Sequence, residues 1–317
     1  MDLRFWGCRG SLPASITTDM IREKLKQAVS VMLDEGIDKN TDLDTFIDEK
    51  LPFWMAGTYG TNTSCVEIST GQDYILCDAG SGLRDFGNWI MTNSGPAPHT
   101  FHIFLSHPHW DHIQGFPFFV PAYIAGNRII IYGCHDNLHT VFDVQQSSPF
   151  FPVLFGDLGA DIQFVKLSPG ESFEIAGCNV KTIEQRHPGL SYGYRFERNN
   201  KAIVYSTDCE HKQEAEIGES PHIEFFKNAD LLIFDAQYSY GDACTLKEEW
   251  GHSNNILGVE MAKTARVKRL CLFHLEPTVD DRVLDRVLHD TQRYSQLFDA
   301  TVPLEIYMAR EGLTFSL

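Results

Sequence analysis

Short apolar runs bounded by glycine, proline, asparagine or aspartate recur along the 317 residues of the chain. This pattern is typical of β-strands. The strongest candidates are "LRFWG", "SCVEIST", "YILCDAG", "HIFLSH", "RIIIYG", "IQFVKL", "CNVKTIEQ", "GYRFER", "AIVYSTD", "LLIFDAQ", "RLCLFH" and "LEIYMAREGLTFSL". Segments with apolar residues at helical spacing lie between some of these runs, which indicates an α/β fold.

Two of the helical segments follow the later strands. The stretch "NNILGVEMAKTA" predicts a helix with Ser253 as its N-cap, because serine accepts a hydrogen bond from the first helical turn. The stretch "DDRVLDRVLHDTQRYSQLF" predicts a second amphipathic helix near the C-terminus.

A third helical region, residues 17–55, interrupts the strand pattern near the N-terminus. "TTDMIREKLKQAVSVMLDEG" predicts a helix capped by threonine or aspartate and ended by Gly36, and "DLDTFIDEKLPFWM" predicts a shorter one. No internal repeat or linker divides the chain. We therefore predict one α/β domain over residues 1–317 with a helical insertion at 17–55, which could serve as a lid, a dimer contact or a packing appendage.

Composition places the chain among soluble globular proteins, with 43% hydrophobic and 22% charged residues. No apolar run is long enough to span a bilayer, and the N-terminal residues lack the features of a signal peptide. The eight cysteines form no C-x-x-C pair, and several lie in strand-like runs. We expect buried, reduced thiols and a cytoplasmic location.

The net charge of −17 repels nucleic acid backbones, and the basic clusters are weak, such as "RVKRL" at 266–270. A long nucleic acid partner is therefore disfavoured. A small anionic ligand held by metal ions is compatible with this charge.

The segment "HPHWDH" contains four metal-ligating side chains, His107, His109, Asp111 and His112, directly after an apolar strand. A polar surface loop is the alternative interpretation. A dinuclear hydrolytic site needs nitrogen and oxygen ligands for two ions, a carboxylate between them and an open position for water. A turn from a strand end into a helix start can direct alternate side chains to both ions.

Three further side chains of ligand type end apolar strands. "TIEQRHPG" places His187, "AIVYSTDCE" places Asp208 and "LCLFHLEP" places His274 in this position. A single histidine at a strand end is more often a hydrogen-bonded structural residue than a ligand. The full order H-x-H-x-D-H, then H, then D, then H, is hard to obtain by chance.

This order resembles the metallo-β-lactamase superfamily, from "FWGCRGSLP" to "FHLEP" and on towards the end of the chain. The resemblance implies an αββα sandwich and two divalent metal ions. It implies that His107, His109 and His187 bind one metal, that Asp111, His112 and His274 bind the other, and that Asp208 bridges them. Asp78 in "DAGSG" would orient a ligand or the loop, or it is a plain turn residue.

The ligand types narrow the reaction. His109 stands where the oxygen-reducing diiron members differ, and Asp208 stands where many true β-lactamases carry cysteine. Cys209 is adjacent, but a neighbour on a strand faces the opposite side. Redox chemistry and antibiotic hydrolysis are disfavoured, whereas thioester or other acyl hydrolysis of the glyoxalase II type stays open.

His252 in "EEWGHSNN" resembles the extra histidine of ribonuclease Z-like phosphodiesterases, which lies by the scissile phosphate. The resemblance implies attack by a metal-bridging hydroxide, with His252 giving a proton to the departing alkoxide, an effect of ~10²–10⁴ in rate. A capping or surface histidine is the alternative. Asp111 and His252 are the candidate catalytic residues.

The absence of a basic tRNA-binding arm separates the chain from ribonuclease Z itself, so we expect a small phosphodiester, with a cyclic nucleotide as the concrete candidate. Phe150 and Phe151 could stack a base, although core packing is the better interpretation. Ser147, Ser148, Tyr238 and Tyr240 are weaker candidates for phosphate or sugar contacts.

Zinc is the expected metal because five of the seven implied ligands are imidazoles, with manganese or iron as alternatives. A non-catalytic binding protein on the same fold is a third hypothesis, opposed by the presence of all seven ligands. A homodimer is common in the family that the chain resembles and is therefore possible here, and no membrane partner is expected because no apolar run could span a bilayer. The sequence leaves open the specific substrate, the metal loaded in the cell, the oligomeric state and the role of residues 17–55.

Overall fold

The fold was analysed in a computed structural model, which describes residues 1–38, 41–71, 73–96, 98–211, 220–239, 247 and 249–317. The strands are β1 (Asp2–Gly7), β2 (Cys65–Ser69), β3 (Tyr74–Cys77), β4 (Thr100–Phe104), β5 (Arg128–Gly133), β6 (Asp161–Lys166), β7 (Ser172–Ile175), β8 (Cys178–Gln185), β9 (Ser191–Arg198), β10 (Lys201–Ser206), β11 (Leu231–Asp235), β12 (Arg269–Phe273), β13 (Glu305–Met308) and β14 (Thr314–Ser316).

The helices of the described residues are α1 (Thr18–Asp34), α2 (Leu43–Lys50), α3 (Phe53–Ala56), α4 (Gly82–Asn93), α5 (Trp110–Ile113), α6 (Leu138–Gln145), α7 (Pro221–Phe226), α8 (Asn255–Thr264) and α9 (Asp281–Phe298). Three short 3₁₀ turns cover Phe116–Phe118, Val120–Tyr123 and Phe155–Asp157. None of these helices combines the length and the apolarity that crossing a bilayer requires.

The strands form two seven-stranded sheets, in the orders β14-β1-β2-β3-β4-β5-β6 and β13-β12-β11-β10-β9-β8-β7. Each sheet mixes antiparallel and parallel pairs. Strands β3 and β4 run parallel, and so do β10, β11 and β12. Helices cover the outer faces, which confirms the predicted αββα sandwich.

The core lies between the two sheets. Phe104 of the first sheet meets Tyr194 and Phe196 of the second, with ring centroids 5.4 and 5.0 Å apart. Near the other edge, the rings of Phe5 and Phe273 are 5.8 Å apart. A second apolar cluster packs α4 against the outer face of the first sheet. Burying this much apolar surface on both faces of each sheet fixes the strand ends in space.

The predicted helices are present, with one different cap. Thr17 caps α1 as expected, and Gly36 follows it with a φ of +67°. Helix α8 is capped by Asn254, whose side chain accepts from the amide of Leu257, so the prediction of Ser253 as the cap was wrong. Asparagine and serine cap about equally well, and Asn254 stands one position nearer to the helix.

The segment predicted as an insertion contains α1, α2 and α3. Helix α1 has no fully buried residue, and its apolar side chains Leu25 and Leu33 are 60% and 71% exposed. The buried, reduced state predicted for the thiols is found for the seven cysteines that the structure describes, whereas Cys244 lies outside the described residues.

Candidate metal centre

Polar side chains gather at one edge of the sandwich, where strands of both sheets end. Because β3 and β4 are parallel, and β10 to β12 are parallel, their carboxyl ends meet at shared sheet edges. Each of these strands, and β8 of the second sheet, is followed within three residues by a polar side chain of the centre, or ends on one. The residues are Asp78 after β3, His107 after β4, His187 after β8, Asp208 after β10, Asp235 at the end of β11 and His274 after β12.

Three of these residues adopt a left-handed backbone conformation, which L-residues other than glycine rarely accept. The φ angles are +62° for Asp78, +47° for Asp208 and +58° for His274. In each case the chain bends sharply as it leaves a buried strand. Such conformations cost about 1–3 kcal/mol and are concentrated at functional sites. Here they direct a carboxylate or an imidazole to the sheet edge.

The HPHWDH segment leaves β4 and enters the single-turn helix α5. His109 occupies the N-cap position with extended backbone, and Asp111 and His112 lie in the turn that follows. This change from extended to helical backbone separates the side chains into two groups.

The first group, here called the outer trio, consists of His107, His109 and His187. One nitrogen of each ring is close enough to the others to share an ion. His187 Nε2 lies 3.0 Å from His109 Nδ1, and the rings of His107 and His109 have centroids 4.4 Å apart. His109 is exposed, whereas His107 and His187 are buried. The outer trio is therefore the side of the centre that solvent reaches.

The second group, the inner trio, consists of Asp111, His112 and His274, all buried. Asp111 Oδ2 lies 3.2 Å from His112 Nε2 and 3.1 Å from His274 Nε2, and the two Nε2 atoms are 3.2 Å apart. Asp111 Oδ2 also accepts the backbone N–H of Ser11 at 2.8 Å. Three ligand atoms thus converge on one small volume.

Asp208 lies between the two trios and turns one carboxylate oxygen to each. Its Oδ2 is 3.6 Å from His107 Nε2 and 3.7 Å from His187 Nε2. Its Oδ1 is 3.2 Å from His112 Nε2 and 3.3 Å from His274 Nε2. This division of the two oxygens is the geometry that a carboxylate between two ions requires.

The separations suit metal coordination. Two ligand atoms at about 2.0–2.1 Å from one tetrahedral ion lie roughly 3.3 Å from each other. The ligand atoms within each trio, and between the trios and Asp208, are 3.0 to 3.7 Å apart where measured. The donor set contains imidazole nitrogens and carboxylate oxygens, which fit Zn²⁺, Mn²⁺ or Fe²⁺.

Hydrogen bonds on the far side of the outer trio leave ring nitrogens facing inward with free lone pairs. His187 Nδ1 donates to the carbonyl of Gly251 at 2.8 Å, so its Nε2 carries no proton. Burial lowers the pKa of His187 to about 4 and the pKa of His107 well below its usual range. Among the described residues, His107 Nε2 has no hydrogen-bond partner. A buried, unpartnered nitrogen of a neutral imidazole is the atom to which a cation would bind.

The inner trio also favours a bound cation, but it does so through the negative charge of nearby carboxylates. Burial opposes charge on His112, but the carboxylates of Asp111, Asp208 and Asp78 outweigh it and raise the pKa of His112 well above its usual range. Burial likewise opposes charge on Asp208, yet the imidazoles of His274, His112 and His107 hold its pKa well below normal. The field of this group therefore attracts a cation, which fits a divalent ion.

Asp78 is a buried hub behind the centre. It accepts from the backbone N–H and the hydroxyl of Ser106, at 2.7 and 2.8 Å, from His112 Nδ1 at 2.7 Å, and from the Tyr205 hydroxyl at 2.7 Å. These bonds orient the ring of His112 and keep its Nε2 directed at the other ligands. This network favours the orienting role over the plain turn residue.

Two glycines permit the close packing of the ligand rings. A Cβ on Gly251, whose φ is +87°, would lie 2.4 Å from His187 Nδ1. A Cβ on Gly10 would lie 2.5 Å from His274 Nδ1. Any other residue at these positions would push a ligand ring out of place.

His252 lies beside the centre. Its Nδ1 is 2.9 Å from Asp235 Oδ2 and 3.9 Å from Asp208 Oδ2. Its ring stacks on His274, with centroids 5.0 Å apart and planes inclined by 19°. Burial would lower its pKa, but the charge and hydrogen bond of Asp235 reverse this and raise the pKa to about 9. The raised pKa favours the imidazolium form of His252 near neutral pH, and its ring lies against the ligand set.

The residues suggested as possible substrate contacts differ in where they lie. Tyr238 is buried, and its ring centroid is 5.2 Å from that of His252. Phe150 is 70% exposed, so the prediction that it packs in the core was wrong, while Phe151 contacts Phe118. Ser147 Oγ donates to the carbonyl of Val144, Ser148 is exposed, and Tyr240 lies outside the described residues.

Sequence reasoning missed several residues that hold the ligands in place. Asp235 ends the apolar run "LLIFDAQ" as Asp208 ends "AIVYSTD", and this shared pattern could have identified it. Gln237, whose Oε1 accepts from His274 Nδ1 at 3.0 Å, follows two residues later. Ser106, Tyr205 and Gly251 carry no local signal, because their roles depend on contacts between distant parts of the chain.

Comparison with known proteins agrees with this architecture. Residues 73–275 match the family model of the beta-lactamase superfamily domain. The ribonuclease Z of Oceanobacillus iheyensis is 23% identical over 285 residues, covering 73% of this chain and 89% of that protein.

Two solved structures resemble the whole chain. Human tRNase Z, short form, has a TM-score of 0.60 at 19% identity, covering 100% of this chain and 99% of the human one. A diphosphatase of the PhnP family has a TM-score of 0.60 at 17% identity, covering 100% of this chain and 97% of the other. At these identities the structural likeness establishes the fold.

Proposed function

The chain belongs to the beta-lactamase superfamily, and we propose that it is a dinuclear metal-dependent phosphodiesterase acting on a small phosphodiester. In this proposal His107, His109 and His187 bind one divalent ion, and Asp111, His112 and His274 bind the other. Asp208, which lies between the two trios, would serve both ions, and His252 would act as the general acid.

One observation carries the proposal: Asp208 gives one oxygen to each trio, 3.6 Å from His107 Nε2 and 3.2 Å from His112 Nε2. A carboxylate serving one ion has no reason to approach four imidazoles from two directions. When bound, two divalent ions would polarise a phosphoryl oxygen and activate a water molecule. Zinc is the preferred ion, since five of the seven ligands are imidazoles.

His252 supplies what phosphodiester cleavage needs beyond charge neutralisation. The leaving alkoxide is a strong base and departs readily only when it receives a proton. As an imidazolium, His252 donates Nδ1–H to Asp235 at 2.9 Å, which leaves Nε2–H for the leaving oxygen. Asp235 also accepts the backbone amides of Cys209 and Gln237, both at 3.1 Å, so its position is fixed.

Hydrogen bonds accepted by Asp78 and donated by nearby backbone amides hold the ligand side chains in position. Ser106 bonds to Asp78 and lies next to His107, so a single buried carboxylate positions a ligand of each trio. Asp111, the other candidate catalytic carboxylate, is held by the amide of Ser11 and faces both inner imidazoles. Preorganised side chains of this kind need not move during the reaction.

A phosphodiester is favoured over a thioester because a thiolate leaves without help and gives no use for a buried imidazolium. His252 and its carboxylate partner therefore favour the phosphodiesterase over the acyl hydrolase. Exposed aromatic side chains such as Phe150 could stack the base of a cyclic nucleotide, the substrate we favour.

RNA is the second candidate substrate, because the relative from Oceanobacillus iheyensis is named ribonuclease Z. The charge distribution opposes it. The net charge is −17, and the basic residues Arg266 and Lys268 precede β12, whereas His274 follows it. Lys268 and His274 are six residues apart along this extended segment, a separation of roughly 20 Å. Lys268 is also paired with Asp230 at 2.8 Å.

Turnover by the metal-loaded protein tests the proposal. Bis(p-nitrophenyl) phosphate, 3′,5′-cyclic nucleotides, a short RNA and a thioester would be assayed with the wild type and with His252→Ala. His289→Ala is the control, because His289 is 68% exposed and, like His252, lies with its Nδ1 near an aspartate carboxylate, that of Asp285 at 3.5 Å.

We expect turnover of the chromogenic diester and of at least one cyclic nucleotide, lost in His252→Ala and unchanged in His289→Ala. Preference for the RNA would overturn the small-substrate part of the proposal. Thioester cleavage at equal rates in both variants, without diester turnover, would replace it with the acyl hydrolase.

A further inference from the structure

A second group of metal-binding side chains lies beside the centre: Cys209, His211 and His222. Cys209 directly follows the bridging Asp208, and none of the three belongs to either trio. The thiol and one nitrogen of each ring are within 4.8 Å of one another. Cys209 is fully buried, and His211 and His222 are partly buried.

The spacing within this group fits an ion. Cys209 Sγ lies 3.7 Å from His211 Nδ1. A sulfur at about 2.3 Å and a nitrogen at about 2.0–2.1 Å from one tetrahedral Zn²⁺ would be roughly 3.6 Å apart. The rings of His211 and His222 meet edge to face, with centroids 4.6 Å apart. The side chains are thus already arranged around a common volume.

A buried imidazole nitrogen without a partner lies in this group. The Nε2 atom of His211 has no hydrogen-bond partner among the described residues, and the Nδ1 atom of the same ring faces Cys209 Sγ. Such a ring is unusual, because buried polar atoms are nearly always paired. Of its two nitrogens, Nδ1 is the one placed to bind an ion together with the Cys209 thiol.

We propose that Cys209, His211 and His222 form a separate site for a Zn²⁺-type cation, distinct from the dinuclear centre. A thiolate with two imidazoles is a soft donor set that selects Zn²⁺ or Co²⁺ over Mn²⁺ or Mg²⁺. Binding replaces the S–H bond of Cys209 with a metal–sulfur bond and releases the proton to solvent. Three protein ligands leave one position for a water molecule.

The place of the site in the fold gives it a structural role. The hydroxyl of Ser253 donates to the carbonyl of Cys209 at 2.5 Å and accepts from the amide of His211 at 3.0 Å. The amide of Cys209 donates to Asp235, the partner of His252. An ion here would tie residues 209–211 to the start of α7 and so anchor the strained turn that presents Asp208.

Titration of the metal-depleted full-length protein with Co²⁺ tests the proposal, because a thiolate bound to Co²⁺ gives near-ultraviolet charge-transfer absorption. The dinuclear centre has only nitrogen and oxygen ligands and gives visible d–d bands alone. Cys209→Ser and His222→Gln remove ligands of the new site. Cys178→Ser, another fully buried cysteine, is the matched control.

We expect the charge-transfer band in the wild type and in Cys178→Ser, its loss in Cys209→Ser and its marked weakening in His222→Gln. The visible bands of the dinuclear centre report folding and should persist in all variants. A wild type without the charge-transfer band when the visible bands are saturated, or a band unchanged by Cys209→Ser, would overturn the proposal.

Discussion

The outer and inner trios share one carboxylate, yet the protein surrounds them differently. In the outer trio, burial keeps His107 and His187 neutral, and their outer nitrogens bond to Ser106 and to the carbonyl of Gly251. In the inner trio, carboxylates surround His112 on both faces and raise its pKa. His109 is exposed, whereas every member of the inner trio is buried.

This contrast indicates a division of labour between the trios. Neutral imidazoles with one exposed member make a position open to substrate and solvent. A buried trio with Asp111 inside it and Asp78 behind it makes a position that binds a cation more tightly. We expect the inner ion to be the last one removed by a chelator.

Replacing Asp208, the carboxylate that the two trios share, should weaken ion binding at both trios and have the largest effect on activity. Asp208→Asn keeps the size of the side chain but removes the charge that faces four imidazoles. We expect phosphodiesterase activity to fall by about 10³-fold or more, because ion binding supplies several kcal/mol of transition-state stabilisation. Kinetics at saturating Mn²⁺, together with Mn²⁺ stoichiometry, measure this.

Asp230→Asn is the control for that variant. Asp230 is also a buried aspartate next to a strand end, but it bonds to the amide of Ala202 and to Lys268. Its replacement should leave the Mn²⁺ stoichiometry unchanged. Full Mn²⁺ loading of Asp208→Asn would contradict the bridging role.

His252→Ala should have the next largest effect, a loss of about 10²–10⁴ in kcat with both ions retained. The raised pKa predicts the pH dependence. Because a general acid must be protonated and the pKa of His252 is about 9, the proposed role predicts a wild-type rate that holds through neutral pH and falls as the pH rises through about 9. A pH–rate profile checks this limb.

The alkaline limb should be absent from the His252→Ala profile, whose residual rate no longer depends on this proton. A substrate with a good leaving group, such as p-nitrophenolate, should lose less activity than a cyclic nucleotide. Equal losses for both substrates would assign His252 a structural role.

Gly251→Ala should perturb the outer trio most directly, through the ring of His187. The added methyl group would lie 2.4 Å from His187 Nδ1, and a displacement of about 1 Å at a reacting centre costs about 10²-fold in rate. Gly170→Ala is the control, because Gly170 has a similar φ of +83° with open space around the added carbon. Steady-state kinetics of the two variants separate the clash from the backbone strain.

Asp78→Asn should have the smallest effect of the four and act mainly on the inner trio. Removing the carboxylate behind His112 should weaken ion binding there by about 10–100-fold. Tyr205→Phe removes one hydrogen bond to Asp78 and should weaken it less. Chelator competition measures both, and an effect confined to the outer ion would contradict the assignment of Asp78 to the inner trio.

Much of the fold could be predicted from the sequence, because strand ends and helix caps are local signals. The strand-like runs, the helix from Thr18 and the C-terminal helix all correspond to observed elements. The N-cap of α8 was misplaced by one residue, since two good capping residues stand side by side. Phe150 was misplaced because hydrophobicity alone does not show which loop residues meet the core.

Some features of the candidate site could likewise be predicted from local sequence signals, and others could not. The HPHWDH turn, His187, Asp208 and His274 could be predicted to gather, since each follows an apolar strand. The hydrogen bond between His187 and the carbonyl of Gly251 could not be predicted, because 64 residues separate the two and they meet only in the folded chain. The left-handed backbone conformation of Asp208 and His274 could not be predicted either, since neither residue type requires it.

The central claim is that Asp208 joins two ions, and electron paramagnetic resonance of the Mn²⁺-loaded protein tests it most directly. Mn²⁺ suits the nitrogen and oxygen ligands of the trios and not the thiolate of Cys209. We predict two Mn²⁺ ions per chain with a spin-coupled spectrum, and loss of the coupling in Asp208→Asn. One ion per chain, or two uncoupled ions in the wild type, would contradict the account.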